Sequence, residues 1–207
     1  MPRVSREASN ARRDEIINAC ASLYEEMSFK DITMQEIAEA TSFKRPAIYN
    51  YFHTKEEIFL ALFQREYELW TEDLNAIADT RNSLTADELA QELAHSLEKR
   101  ERLLKLLSMN LYDMEENSRI KNLTEFKTAY GASMKAVDRC LEKFCPSMTE
   151  KDRQDFIYAF FPFIYGIYPY VFVTEKQLRA MTAAGMKHTQ RSIYEIACFC
   201  VKKLLEK

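Results

Sequence analysis

A short run of hydrogen-bonding side chains, KRPAIYNYFHTK, combines residue types that read nucleic acids. Arg45 and Asn50 can form paired hydrogen bonds to the edges of guanine and adenine in a major groove. Lys44 and Lys55 lie at the two ends of the run, where their ammonium groups can meet phosphates. These residue types predict binding of DNA by side-chain contacts.

Motifs of catalysis and of cofactor binding are missing from the sequence. With 3 glycines, the chain has no phosphate-cradling glycine loop, and neither GxSxG nor HExxH occurs. His53, His95 and His188 are isolated and are interpreted as ordinary surface or packed histidines. Cys198 and Cys200 are two residues apart on a predicted helix and point in different directions, which argues against a metal pair. We therefore expect no enzyme, no cofactor and no metal site.

Three Thr-x-x-Glu capping boxes mark helix starts, one before the run at Thr33, one at its end at Thr54 and a third later in the chain at Thr85. In such a box the threonine oxygen accepts from one unpaired backbone N–H and the glutamate accepts from another. The N–H groups at these helix starts also suit phosphate oxygens. The helix between the first two boxes is expected at about residues 45–52, with a proline in its first turn, and an earlier helix at about residues 10–27.

Three short helices, the second and third joined by a tight turn, form a helix-turn-helix pattern. At 100° per residue the third helix turns Ile48 and Phe52 towards the other helices and Arg45, Tyr49 and Asn50 outward. A polar outer face is also what any small helical bundle presents. Pattern alone therefore leaves two interpretations open, a DNA-reading helix and a solvated one.

The run IAEATSFKRPAIYNYFHTKEEIF resembles the DNA-binding signature of the tetracycline-repressor (TetR) family. The resemblance rests on Thr33 at the start of the second helix, Ile48-Tyr49-x-Tyr51-Phe52 in the third and Lys55-Glu56-Glu57 in the fourth, and it covers about residues 10–63. It implies an all-α protein. A three-helix DNA-binding domain is expected at residues 1–54, and a larger helical ligand-sensing and dimerisation domain at residues 55–207.

The resemblance also implies roles for individual residues. Phosphate contacts are expected from Thr33, Tyr49 and Lys55, and positions near base edges from Lys44, Arg45, Ala47 and Asn50. Tyr51 is expected to brace the recognition helix.

Two positions depart from the family pattern. Ser42 occupies a turn position where glycine is frequent, and Lys44 stands where a capping serine or threonine is frequent. A serine in the left-handed conformation costs about 1 kcal/mol relative to glycine, so the sequence leaves open the geometry of the turn and the exact start of the third helix. The arginines near the N-terminus suggest either a tail that reaches the minor groove or phosphates, or an ordinary solvated tail. These are Arg3, Arg6, Arg12 and Arg13.

The composition sets limits on the whole chain of 207 residues. Glycine (3) and proline (5) are scarce, which is typical of long helices with short links rather than of β folds. A formal net charge of -3 means that DNA binding must depend on a local patch. An odd number of cysteines without CxxC, and an N-terminus without an apolar core, predict a cytoplasmic protein with reduced thiols.

The segment FIYAFFPFIYGIYPYVFVT is dense in aromatic residues and long enough to span a bilayer. Pro162, Gly166 and Pro169 would interrupt a spanning helix, so a buried helix or helix pair is the favoured interpretation. One helix cannot hide so many rings against a single neighbour, so some are expected to face a cavity or a second subunit.

Two further sets of residues follow from this interpretation. An apolar, aromatic ligand cavity is hypothesised to be lined by Phe63, Tyr67, Trp70, Leu107, Tyr130, Phe160, Phe163 and Tyr170. A dimer contact is hypothesised at Ile193, Ile196, Ala197, Cys200 and Leu204 of the last helix, with part of the aromatic segment.

The sequence thus predicts a ligand-responsive transcriptional regulator that binds an inverted-repeat operator as a homodimer. The partners expected are double-stranded DNA, a second copy of the chain and an unknown small apolar or aromatic ligand, with no membrane. Repression rather than activation comes from the resemblance. The alternative is a membrane-associated or partner-binding helical protein in which the helix-turn-helix is only scaffold.

Overall fold

Helices account for the regular structure of residues 6–109 and 111–206, which are the residues that the computed structural model describes. No strand occurs in these two ranges, and the predicted all-α class is confirmed. The helices in chain order are α1 (Arg6–Glu26), α2 (Met34–Glu39), α3 (Arg45–Ile48), α4 (Lys55–Thr80), α5 (Ala86–Glu98), α6 (Glu101–Leu107), α7 (Leu111–Glu116), α8 (Ile120–Phe144), α9 (Glu150–Val171), α10 (Glu175–Ala183) and α11 (Ile193–Leu205).

Capping boxes start several of these helices. Thr33 and Thr85 form both halves of the box, as the sequence predicts. The hydroxyl oxygen of Thr54 accepts from the Glu57 N–H at 3.2 Å, but the Glu57 carboxylate accepts from the His53 N–H instead of that of Thr54. This second box is therefore only half formed, and Glu57 has other partners.

Helix α9 runs without a break through Pro162 and Pro169, contrary to the interruption expected from sequence. Each proline removes a backbone N–H and leaves the carbonyl four residues earlier without its helical donor. Both prolines lie on the exposed side of the helix, where water can reach those carbonyls. The opposite side is buried and carries Phe156, Ile157, Phe160, Phe161, Ile164, Ile167 and Val171.

Within residues 6–109 and 111–206, no single helix is long and apolar enough to cross a bilayer. Helices α9 and α10 pass on length and composition only when taken together, and they are bent by 86° at the break between them.

Contacts divide the chain into two units. The first contains the described residues up to Arg65 and those between residue 110 and Ala129. The second contains all other described residues. The domain boundary predicted after Thr54 stays a prediction, because the division by contacts falls at Arg65 and adds a distant segment to the helix-turn-helix. Helices α4 and α8 each contribute residues to both units.

Each unit has its own core. In the first unit α2 packs against α1 and α3, and the buried residues include Ile16, Cys20, Ile37, Ile48 and Phe52. In the second unit α11 packs against α5 and α9, and α6 packs against α5 and α9.

Candidate nucleic-acid interface

The turn between α2 and α3 is held by hydrogen bonds rather than by a strained residue. No described residue other than glycine has a positive φ, so the turn is made without a left-handed Ser42. The Ser42 N–H donates to the carboxylate of Glu15 on α1, and the Thr41 hydroxyl donates to the Ala38 carbonyl at 2.8 Å. The hydrogen bond from Ser42 lowers the pKa of Glu15 from its ordinary value.

Helix α3 begins after Lys44, which has extended backbone angles and makes no side-chain capping bond. The helix ends at Ile48, earlier than the predicted residue 52, and the chain continues through a tight turn. In this turn the Tyr51 and Phe52 N–H groups donate to the Ile48 carbonyl at 2.8 and 3.0 Å. Because Ile48 and Phe52 are fully buried, the inner side of α3 is anchored as predicted.

The outer side of α3 and of the following turn is open to solvent. We call it the recognition face. It consists of the exposed Lys44, Arg45, Tyr49 and Asn50 with the half-buried Ala47. The Arg45 guanidinium donates to the Tyr49 hydroxyl at 3.0 Å and its Cζ lies 5.8 Å from the centre of the Tyr49 ring. The structure thus brings together five of the seven residues predicted to contact DNA.

Lys55 and Thr33 lie outside the recognition face. The Lys55 ammonium donates to the Phe29 carbonyl at 2.8 Å and to the Ile32 carbonyl at 3.0 Å, and it lies 4.2 Å from the centre of the Phe29 ring. An ammonium has three N–H donors, so one is left for a phosphate. The Thr33 oxygen accepts from the Glu36 N–H at 3.3 Å, which leaves its hydroxyl hydrogen to donate. Phosphate contacts from both residues stay predictions.

The predicted arginine tail is largely helical. Arg3 lies outside the described residues, whereas Arg6, Arg12 and Arg13 belong to α1. The Arg13 guanidinium pairs with Glu125 at 3.3 Å. Its Cζ also lies 5.3 Å from the centre of the Phe52 ring. Arg13 therefore supports the helix-turn-helix core.

One residue beside this interface, Arg119, was not predicted from sequence. Its guanidinium contacts the Glu57 carboxylate and the Tyr51 carbonyl in the turn that follows α3. Arg119 and Glu57 are 62 residues apart in the chain, so no local motif could relate them. Without such a motif, a single arginine in a sequence is interpreted as an ordinary surface residue.

The residues predicted to line a ligand cavity are only partly brought together. In the second unit the rings of Tyr67, Trp70, Tyr130 and Phe160 belong to one cluster with Phe161. The ring centres are 5.4 Å apart for Tyr67–Tyr130, 6.5 Å for Trp70–Phe160 and 5.7 Å for Trp70–Phe161. We call these five residues the aromatic cluster.

The other four residues of that prediction are distributed differently. Phe63 belongs to the first unit and packs against Phe126, with ring centres 5.0 Å apart. Leu107 is buried and Phe163 is half-buried. Tyr170 is 75% exposed, so it does not line an interior cavity, and this assignment is corrected to a surface position.

The predicted dimer residues of α11 also divide into two sets. Ile193 and Ala197 are buried within their own unit, where α11 meets α5 and α9, so they offer no surface to a second copy. Ile196, Cys200 and Leu204 are half-buried and keep some open surface. The most exposed apolar side chain of this helix is Phe199, which was not among the predicted residues.

Helix α9 also carries exposed apolar residues. Tyr158 and Tyr170 are exposed, as are Ala159, Pro162 and Pro169 on the same side of the helix. We call these residues and Phe199 the apolar surface. Large exposed apolar areas of this kind are typical of subunit contacts.

Burial suppresses the ionisation of two of the five cysteines. All five are unpaired thiols. Burial raises the pKa of Cys20 to about 12 and that of Cys140 to about 11, so both remain protonated at neutral pH.

Two family models match the chain. Residues 16–62 match the model described as "Bacterial regulatory proteins, tetR family", and residues 64–195 match "Tetracyclin repressor-like, C-terminal domain". Among curated proteins, the uncharacterized HTH-type transcriptional regulator YfiR of Bacillus subtilis is 30% identical over 63 residues. That match spans 30% of this chain and 31% of the relative.

Solved structures with a similar fold cover nearly the whole chain. The transcriptional regulator FadR from Bacillus subtilis, in complex with stearoyl-CoA, has a TM-score of 0.60 and 16% identity, with 93% of this chain and 96% of that chain covered. Thermus thermophilus FadR, a TetR family transcriptional repressor in complex with lauroyl-CoA, has a TM-score of 0.58 and 18% identity, with 94% and 93% covered. At these identities the likeness is one of fold.

Proposed function

Because the chain belongs to the tetR family of bacterial regulatory proteins, we propose that it is a repressor that binds an inverted-repeat operator as a homodimer and releases it when a ligand binds. The observation that carries this proposal is the recognition face, since Arg45, Tyr49 and Asn50 are open to solvent while Ile48 anchors the same helix from inside. Each subunit lays this face in a major groove, and two subunits read two half-sites.

The second unit is proposed to hold the ligand at the aromatic cluster. The two FadR structures contain stearoyl-CoA and lauroyl-CoA, and an acyl chain is a ligand that aromatic side chains can surround. We therefore propose a long-chain acyl-CoA as the first ligand to test. Binding shifts the protein towards an arrangement of helices that no longer fits the operator.

The apolar surface on α9 and α11 is proposed as the contact between two copies. A two-fold contact uses the same patch on both subunits, and a patch rich in tyrosine, phenylalanine and proline suits such a contact. The two proposed contacts, with DNA and with a second copy, use the recognition face and the apolar surface respectively. The protein is proposed to act in the cytoplasm with no enzymatic role, and the membrane-associated or scaffold alternative is not favoured.

Selection of bound fragments from random DNA by the purified protein tests the DNA-binding part of the proposal. Enrichment of an inverted repeat, with half-sites separated by about one helical turn, is the expected result. The matched control is a variant with Arg45, Tyr49 and Asn50 all replaced by alanine, which keeps Ile48 and Phe52. Absence of enrichment by the wild type, or equal enrichment by this variant, contradicts the proposal.

The ligand part is tested with stearoyl-CoA and, as a control, CoA without an acyl chain. We expect stearoyl-CoA to release the selected duplex and to change the fluorescence of Trp70, the single tryptophan of the chain. Release by CoA alone, or no effect of either compound, argues against an acyl-binding cluster.

A further inference from the structure

The carboxylate of Glu57 is a buried charge with several donors, next to the interface. It lies in the first turn of α4 and the residue is 1% exposed. The Arg119 guanidinium donates to both of its oxygens, at 2.6 and 2.7 Å. Two backbone N–H groups complete the arrangement, that of His53 at 2.7 Å and that of Arg119 at 3.0 Å. Burial alone would raise the pKa of Glu57, but these bonds hold it below its ordinary value.

Arg119 also contacts the turn that follows α3 directly. Its Nη2 donates to the Tyr51 carbonyl at 3.1 Å, and its Nη1 lies 3.3 Å from Nε2 of His53. The Thr54 hydroxyl adds a third contact by donating to the Asn117 carbonyl at 3.0 Å. The loop that joins α3 to α4 is therefore attached at three points to the segment just before α8.

We expect these contacts to control the orientation of α3 because the helix is short. The helix has four residues, and Lys44 at its start makes no side-chain capping bond. The direction of α3 therefore depends on the packing of the buried Ile48 and Phe52 and on the contacts that hold the turn after the helix. A planar guanidinium can serve two carboxylate oxygens and a carbonyl together, and a lysine ammonium cannot reproduce that geometry.

We propose that Arg119 is a positioning residue for DNA reading, which holds the recognition helix in its operator-binding orientation by way of Glu57 and Tyr51. This inference rests on the proposed function and adds a residue to it. Arg119 immediately precedes α8, the helix that contributes residues to both units. A displacement of the start of α8 therefore acts directly on the turn that follows α3.

The test compares binding to two duplexes, one recovered by the selection and one with the same bases scrambled. Kd is measured for Arg119→Gln, for Arg119→Lys and for the wild type, each well below its melting temperature. Arg139→Gln is the matched control, because Arg139 lies on α8, pairs with Asp79 on the surface and belongs to the second unit. Thermal melting of every variant is recorded separately.

We expect Arg119→Gln to weaken binding to the selected duplex at least tenfold, with binding to the scrambled duplex changed less than twofold. Arg119→Lys falls between it and the wild type, and Arg139→Gln matches the wild type. If Arg119→Gln does not fold, Arg119→Lys decides the question, because it should bind the selected duplex more weakly than the wild type does, with binding to the scrambled duplex unchanged.

Two results would overturn the inference. One is a folded Arg119→Gln or Arg119→Lys protein that binds the selected duplex as the wild type does, which would make the contact merely structural. The other is an equal loss on both duplexes, which would make Arg119 a phosphate contact. Failure of the wild type to prefer any duplex is a different outcome, since it removes the proposed function itself.

Discussion

The guanidinium of Arg45 lies against the ring of Tyr49 and donates a hydrogen bond to its hydroxyl at 3.0 Å. The two residues are one helical turn apart, so the contact orders both side chains on the recognition face before DNA arrives. A side chain that is already ordered loses less conformational entropy when it binds. Arg45 and Tyr49 are therefore expected to act together.

Tyr49→Phe is expected to weaken binding to all DNA sequences by a similar factor. The change removes one hydroxyl, which accepts from Arg45 and which we expect to contact a phosphate, and a hydrogen bond of this type contributes about 1 kcal/mol. Fluorescence anisotropy with the selected and scrambled duplexes measures the effect. Tyr112→Phe, at an exposed tyrosine on α7, is the control and should leave both affinities unchanged. A loss confined to the selected duplex would contradict a phosphate role.

Asn50→Ala is expected to change preference among sequences rather than affinity for DNA in general. A carboxamide that pairs with a base edge contributes about 1–3 kcal/mol of discrimination, and alanine cannot pair with any base. Repeating the selection with the variant should give a site that is relaxed at one position in each half-site. An unchanged consensus would show that Asn50 does not face a base.

Glu15→Gln tests the hydrogen bond that holds the α2–α3 turn. Because the folded pKa of Glu15 lies below its ordinary value of 4.5, its carboxylate stabilises the fold above that pH, and the contribution is lost as pH falls through the lowered pKa. The difference in melting temperature between wild type and Glu15→Gln should shrink as pH falls below 4.5. A difference that stays constant with pH would contradict a charged hydrogen bond at this turn.

Ser96→Ala is expected to destabilise the second unit. The buried Trp70 Nε1–H donates to the Ser96 hydroxyl at 2.9 Å, and the loss of a buried acceptor costs about 1–3 kcal/mol. Urea denaturation followed by tryptophan fluorescence measures the change. Ser108→Ala is a matched control, since both hydroxyls donate to the carbonyl three residues earlier at 2.7 Å but Ser108 is exposed. Equal effects of the two substitutions would exclude a specific role for the Trp70 contact.

Phe199→Glu is expected to convert the proposed dimer to a monomer, because it places a charge at the apolar surface. Sedimentation of the variant and the wild type at equal concentrations measures the change in mass. Ile120→Glu is the control, since Ile120 is equally apolar and exposed but lies outside that surface. A Phe199→Glu protein that remains dimeric would place the subunit contact elsewhere.

The helices and the recognition face could be predicted because their signals are local. A capping box places both partners three residues apart, and the inward and outward sides of α3 follow from helical periodicity alone. Thr33, Thr85 and the outward Arg45 were predicted on this basis.

Features that depend on distant partners could not be predicted. Glu57 has the spacing of a capping glutamate, but its carboxylate binds Arg119, 62 residues later in the chain. The sequence left the geometry of the turn at Ser42 open, because Glu15, which accepts from the Ser42 N–H, lies on another helix. The burial of Ile193 and Ala197 similarly depends on α5 and α9, which no local pattern relates to α11.

The ammonium of Lys55 donates two of its three N–H groups to carbonyls of its own chain. Carbonyls carry no net charge, so the ammonium keeps its positive charge and can still displace a condensed counterion from a phosphate. Its place is set by its own chain before DNA arrives, so a phosphate has to come to it. We therefore expect Lys55 to fix the register of a bound duplex, and the base sequence to be read elsewhere.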